Sequence, residues 1–392
     1  MKPADLKGNV KKDQTAFIEA FSPELVVHSP GRINFIGGHT DYNNGLVLPT
    51  AINQKIHLYF RKNSSNNQCS VTSIGFDEVL KIDLHSVKKS NKQWENYILG
   101  VVQGLQKRNN AITGFDCIID SQLPIGSGIS SSAALECGMA YGLNQLFDLG
   151  ISTLDMIKLS RDAEHEFVGT KCGIMDQFAV MISKKEHVVL LDCESVSYSL
   201  IPMNLKPYKL LLLNTNVSHN LATSEYNTRR SECEAAVEFI QKYYPEVNSL
   251  RNAENHMIYD LKNKMDETLY KRSHFIVNEN ARVQKAADAL RTEDLNTFGD
   301  MLYQSHHGLS TLYEVSCPEL DFLVEFSKNN EHILGSRMMG GGFGGCTINI
   351  IHEDAIEDYI NKVSMAYEQE FSLNLSPIVV EPDGGTTHKT NQ

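Results

Sequence analysis

The chain has 392 residues, enough for two or three domains at ~150 residues each and enough to bury a core without disulfide staples. Apolar residues make up 41% and charged residues 21%, a globular balance rather than a disordered one. Against 36 basic side chains stand 48 acidic ones, and the net charge of −12 argues against nucleic-acid or anionic-membrane binding.

The N-terminal MKPADLKGNVKKD has no apolar stretch of the secretory kind. No apolar run approaches the ~20 residues that span a bilayer, so a soluble, cytoplasmic protein is expected. The first strand-like run is 54–61, followed by a helix over 94–108 with Trp94, Tyr97, Ile98, Val101, Val102 and Leu105 at helical spacing. A strand over 114–120 precedes helices over 131–147 and 153–168. Strands over 187–192 and 208–214 flank 201–208 (IPMNLKPY), whose two prolines mark a domain crossing. Helices over 221–243, 277–290, 294–306 and 319–328, a strand over 346–352, a helix over 353–370 and a strand over 376–380 complete the chain. This mixed order does not demand a doubly wound sheet. None of the eight cysteines forms a C-x-x-C pair, so reduced, buried thiols are expected.

Three glycine-rich segments stand out. Residues 29–49 (SPGRINFIGGHTDYNNGLVLP) crowd Arg32, His39, Thr40 and Asp41 between glycines, which fits convergence on a small polar ligand and equally fits a turn between strands. Residues 124–136 (PIGSGISSSAALE) lead glycines and serines into a helix start, a ready phosphate cradle or a capped helix after a turn. It is not a Walker A loop, since no Gly-Lys-Ser/Thr follows. Residues 335–347 (GSRMMGGGFGGCT) carry glycines that permit close backbone approach or a flexible hairpin. Between the last two lies RDAEHEFVGTKCGIMDQF (161–178), where Glu164 and Asp176 are candidates for holding Mg²⁺ and orienting a hydroxyl nucleophile, or are solvated charges. The His306–His307 pair is no metal site, because adjacent helical residues do not share a face.

Taken together, these segments resemble the GHMP small-molecule kinases, and within them the galactokinase family. WENYILGV (94–101), AEHEFVGTKCGIMDQF (163–178), SEYNTRR (224–230) and YEVSCPELD (313–321) continue the resemblance in the family's order over almost the whole chain. It implies a two-domain α+β fold: residues 1–205 as an N-terminal domain related to ribosomal protein S5 domain 2, residues 206–392 as a C-terminal GHMP domain. It implies ATP and Mg²⁺, D-galactose as substrate, no nucleic acid, no membrane, and a monomer or weak homodimer.

By motif position, Arg32 matches the arginine that stabilises the transferring phosphoryl group, and Asp176 the catalytic aspartate. Gly38, His39, Thr40, Asp41, Gly173 and Tyr226 fall at sugar-site positions. Gly126, Ser127, Gly128, Ile129, Ser130, Ser131 and Ser132 match the ATP phosphate loop, and Ser73, Trp94 and Tyr97 the adenine pocket. Ser132 and Glu164 match the Mg²⁺ positions. One departure stands out: the family reads GEHTDY, and this chain has Gly38 for the glutamate that contacts the sugar's C6 hydroxyl. A kinase of L-arabinose, which lacks C6, is therefore an alternative, and an N-acetylgalactosamine kinase is a further one that turns on room at C2. A non-catalytic sugar and ATP sensor is a more distant one, since the phosphate loop, Arg32 and Asp176 are all present.

Overall fold

The first structural decision is a kinked strand. β1 (Leu25–Asn34) pairs antiparallel with β3 (Pro49–Lys62), and the register slips between Pro30 and Arg32. Ala51 to Lys55 of β3 spans two residues more than Pro30 to Arg32 opposite it, so β3 carries the bulge, a device that re-aims the side chains beyond it. The structure is a computed structural model that describes residues 17–390, apart from 19, 77–78, 109–110, 125 and 219–221.

β1 and β3 belong to a sheet ordered β14–β1–β3–β6–β4–β5, with β13 also pairing β3. Its other strands are β4 (Gln68–Ser73), β5 (Val79–Asp83), β6 (Phe115–Ser121), β13 (Pro382–Asp383) and β14 (Thr387–Thr390). β4 and β6 run parallel; the other pairs in this sheet are antiparallel. Helix Ser131–Leu146 lies directly on β1 and β3, because a side chain at Gly138 or Gly142 would strike Leu58 and Ser29 or the Phe60 ring. Helices Gln93–Arg108, Thr153–Ala163 and Met175–Ile182 pack around it over the main apolar core.

A second sheet runs β10–β11–β9–β12: β9 is Tyr208–Ser218, β10 Ile333–Met338, β11 Gly344–His352 and β12 Ser376–Val380. Helices Pro318–Lys328 and Ile356–Phe371 cover it through Leu211, Leu213, Leu323, Tyr359 and Tyr367. A third small sheet joins β2 (Leu46–Val47), β7 (His187–Asp192) and β8 (Ser197–Pro202). Helices Ala222–Ile240 and Glu267–Arg291 meet in a separate apolar cluster with Phe275, Leu309 and Tyr313.

The α+β character agrees with the sequence, and every strand and helix expected there is present, 187–192 and 376–380 with the expected ends and the others with shifted ones. The elements left out have physical reasons. β1 carries Pro30 and Gly31, which read as punctuation. Helix Met175–Ile182 has only two turns. Helix Glu267–Arg291 starts ten residues before the expected 277, where Asp266 accepts hydrogen bonds from the Thr268 and Leu269 N–H groups. The expected helix over 153–168 ends in a π-helical turn, Glu164–Val168, closed by left-handed Gly169. All eight cysteines are free thiols, and all but Cys172 are buried. Among the described residues no helix is long and apolar enough to cross a membrane.

Candidate active site

Past the register slip, Arg32 near the end of β1 meets Asp176 and the second glycine segment. Arg32 is 4% exposed and meets Asp176, in the first turn of helix Met175–Ile182, through both ends of its guanidinium: Nε to Oδ1 at 2.6 Å and Nη2 to Oδ2 at 2.5 Å. Its Nη1 donates to Gly128 O at 2.7 Å and its backbone N–H to Ile129 O at 3.0 Å. One arginine thus ties the first and second glycine segments to Asp176. Such a two-pronged, charge-assisted contact fixes orientation as well as charge.

At the next helix the sequence leaves a phosphate cradle and a serine-capped start both open. Ser130 takes the cap position with φ 56 and ψ 56, but its hydroxyl does not turn back onto the helix. It donates to Asp176 Oδ2 at 2.5 Å. The first-turn N–H groups around Ser131 and Ser132 are left without a side-chain cap, which is what an anion-binding helix start needs. Gly126 and Gly128 hold left-handed φ values of 74 and 75. Ser127 and Ile129 point inward: the Ser127 hydroxyl donates to Pro124 O, and Ile129 joins the core.

The third glycine segment closes against the second. A Cβ on Gly128 would lie 3.1 Å from Met339 O, and one on Gly340 would lie 3.2 Å from Gly128 Cα. On Gly341 it would lie 3.2 Å from the Tyr226 ring. Larger residues at these contacts would push the segments apart.

The first glycine segment forms the other wall. Asp41 is buried and faces Gly173, where any side chain would collide with its carboxylate. Burial, followed by the Asp176 charge, pushes Asp41 up to about 6. The His39 ring lies 5.3 Å from that of Tyr226, and its Nε2 is 3.2 Å from Gly341 O. Thr40 is fully buried, with its hydroxyl on Gly37 O and Leu46 O, so it shapes the loop. A Cβ on Gly38 would lie 2.8 Å from Arg337 Nη2 and 3.4 Å from Leu309. Arg337 is buried, bonds Phe35 O and Met338 O, and is brought down to about 10 by burial.

A group of carboxylates is buried beside Asp176. Burial, followed by the Asp176 charge, pushes Glu164 up to about 7, and Glu136 is raised further by burial and by Glu164. Gln177 Nε2 reaches Glu164 at 3.1 Å and Glu136 at 3.3 Å, and Glu136 Oε1 is buried with no partner. Cys172 Sγ donates to Glu164 Oε2 at 3.6 Å. The Trp94 and Phe76 rings lie tilted to each other with centroids 5.2 Å apart, and the Phe76 N–H donates to Ser73 O at 3.1 Å. Tyr97 is raised by burial, Glu164 and Glu136, which sets it beside the carboxylates. Phe76, Gln177, Arg337 and the Ser130 contact were not legible as site features. Phe76 lies in an unremarkable turn, and Gln177 follows a residue that draws all the attention.

The family profile "GHMP kinases N terminal domain" matches residues 96–184, and "GHMP kinases C terminal" matches 286–369. "Galactokinase galactose-binding signature" matches residues 15–62. The galactokinase of Thermosipho africanus is 42% identical over 363 residues, covering 93% of this chain and 99% of that one. That of Clostridium acetobutylicum is 39% identical, covering 91% and 92%. The crystal structure of Lactococcus lactis galactokinase complexed with galactose superposes with a TM-score of 0.91 at 33% identity, over 96% of this chain and 98% of that one. Methanococcus jannaschii mevalonate kinase shares the fold, with a TM-score of 0.65 at 16% identity over 93% of this chain and 99% of that one. The fold is therefore that of a GHMP kinase. Within that class, the chain belongs to the galactokinase family.

Proposed function

We propose that the protein transfers the γ-phosphoryl group of ATP directly to the C1 hydroxyl of D-galactose, giving α-D-galactose 1-phosphate and ADP. The observation that carries this is the Arg32–Asp176–Ser130 constellation, lying between the open helix start and the sugar signature. Phosphoryl transfer needs positioning and charge more than covalent help. Asp176 orients the attacking hydroxyl and takes its proton. Arg32 stabilises charge on the transferring group. The first-turn N–H groups of helix Ser131–Leu146 bind phosphate oxygens. Asp41 and Tyr226 hold the sugar, and Trp94, Tyr97 and Ser73 face the base. On this reading 1–205 and 206–392 are the two domains, although β13 and β14 return to the first sheet. The protein works in the cytoplasm as a monomer or weak homodimer.

Mg²⁺ fits the site. The buried, unpartnered Glu136 Oε1 and the raised Glu164 mark a carboxylate group short of positive charge. Among the described residues no three His, Cys, Asp or Glu side chains could cage an ion by themselves, which suits one held mostly by phosphate oxygens and water. Glu164 and the Ser132 hydroxyl would hold it, and when bound it neutralises phosphate charge. Glu164→Gln is expected to raise the Mg²⁺ concentration for half-maximal rate by about tenfold, since a hard cation prefers anionic oxygen. A Mg²⁺ titration checks this, and an unchanged midpoint would remove Glu164 from the site.

The second reading is favoured by Gly38. Without a carboxylate there, selectivity at C6 should be weak: kcat/KM for galactose should exceed that for D-fucose and L-arabinose by less than about 10–150-fold, one charge-assisted hydrogen bond's worth. A purified-enzyme panel of galactose, L-arabinose, D-fucose, galactosamine and N-acetylgalactosamine with ATP tests the function and this point together. Rejection of both analogues by more than about 10³-fold would mean another group reads C6. Gly38→Glu directs the new side chain at Arg337, so recovery of C6 selectivity should be partial at best.

A further inference from the structure

Behind His39 runs a chain of buried polar groups. His39 Nδ1 lies 2.8 Å from the Tyr42 hydroxyl, which lies 2.7 Å from that of Tyr313, which lies 3.0 Å from Cys233 Sγ. On the far side of the ring, Nε2 lies 3.2 Å from Gly341 O. The chain crosses four segments distant in sequence: the sugar signature, helix Ala222–Ile240, the stretch after helix Leu295–Thr311 and the third glycine segment.

Every proton on this chain can be assigned. Burial pushes His39 down to about 3, so at neutral pH the ring carries one N–H. A carbonyl oxygen only accepts, so that hydrogen sits on Nε2 and points at Gly341. Nδ1 is then bare and accepts from Tyr42. Tyr42 has spent its only proton, so its oxygen accepts from Tyr313. Tyr313 has done the same, so its oxygen accepts the Cys233 S–H. Reversing any link would leave a bare nitrogen facing a carbonyl, a buried mismatch of the expensive kind.

We propose that Tyr42 and Tyr313 are positioning residues that lock His39 in its Nε2–H tautomer and so latch Gly341 over the sugar side of the cleft. Gly341 is where the third glycine segment meets Tyr226, since a Cβ there would lie 3.2 Å from that ring. Both ring nitrogens of His39 are spent inside the protein, so His39 acts on the ligand through the segment it holds. Loosening the latch should weaken sugar binding and leave the Arg32–Asp176 chemistry in place.

The test uses the full chain labelled with ¹⁵N-histidine, with the His39 signal assigned by its loss in His39→Gln. Wild type should show the Nε2–H tautomer, without titration from pH 5 to 8. Tyr42→Phe removes the donor without opening a cavity. It should give a mixed or reversed tautomer and raise KM for galactose by about 5- to 50-fold, the size of one buried acceptor left unpaired, with kcat changed less than about threefold. Tyr313→Phe, one link further out, should act in the same direction by less, and serves if Tyr42→Phe does not fold. Cys233→Ser, which keeps a donor, should stay near wild type. An unchanged His39 tautomer in Tyr42→Phe overturns the proposal, as does an unchanged KM or a loss confined to kcat. The kinetic arm rests on the galactokinase reading. If wild type does not phosphorylate galactose, that reading fails, and the tautomer comparison alone decides this one.

Discussion

Asp176→Asn is expected to lower kcat with galactose and ATP by about 10²–10⁴-fold, the usual worth of a positioned base, while both substrates still bind. The amide keeps the shape of the carboxylate and can still accept from Ser130 or from one arm of Arg32. It loses the negative charge that both contacts complement and the basicity that the sugar hydroxyl requires. Single-turnover kinetics beside calorimetric binding separates the two effects. Retention of more than about a tenth of the wild-type rate would remove Asp176 from its role.

Arg32→Lys should be nearly as damaging, with kcat lower by about 10²–10³-fold, the worth of one preorganised contact to developing charge. The charge survives the change and the geometry does not. A lysine ammonium cannot meet both Asp176 oxygens, Gly128 O and a phosphoryl group with one fixed fork. A fall in thermal stability should accompany the loss, because Arg32 is 4% exposed and its partner is left with a poorer counter-charge. Steady-state kinetics and a thermal melt check both parts. A variant with near-normal kcat would show that the fork is a scaffold contact and not part of the chemistry.

Much of this was legible through the family resemblance, and the three glycine segments allowed close backbone contact without saying where. Gly128 against Gly340, and Gly341 against Tyr226, are the contacts those glycines exist to permit. Arg32 was visible by its motif. The register slip beside it was not, because it comes from two extra residues of β3 between Ala51 and Lys55, seen only once the strands are paired. Ser130 takes the cap position without capping its helix, because its hydroxyl goes to a partner 46 residues on, Asp176. The Tyr42–Tyr313–Cys233 chain is invisible to any window-based reading, because its members stand 271 and 80 positions apart. Gly38 was read as a missing contact with the sugar. The structure turns that position toward a buried arginine, which no spacing argument could find.

The most direct test of the proposed reaction follows the phosphate itself. Purified protein with D-galactose, ATP and Mg²⁺, monitored by ³¹P NMR, should build up the signal of α-D-galactose 1-phosphate at the rate ATP is lost, with ADP in equal amount. The same mixture with Asp176→Asn should stay essentially silent over that time. Phosphate arriving on another hydroxyl, ATP hydrolysis without sugar phosphate, or turnover of a panel sugar while galactose is left untouched would contradict the account.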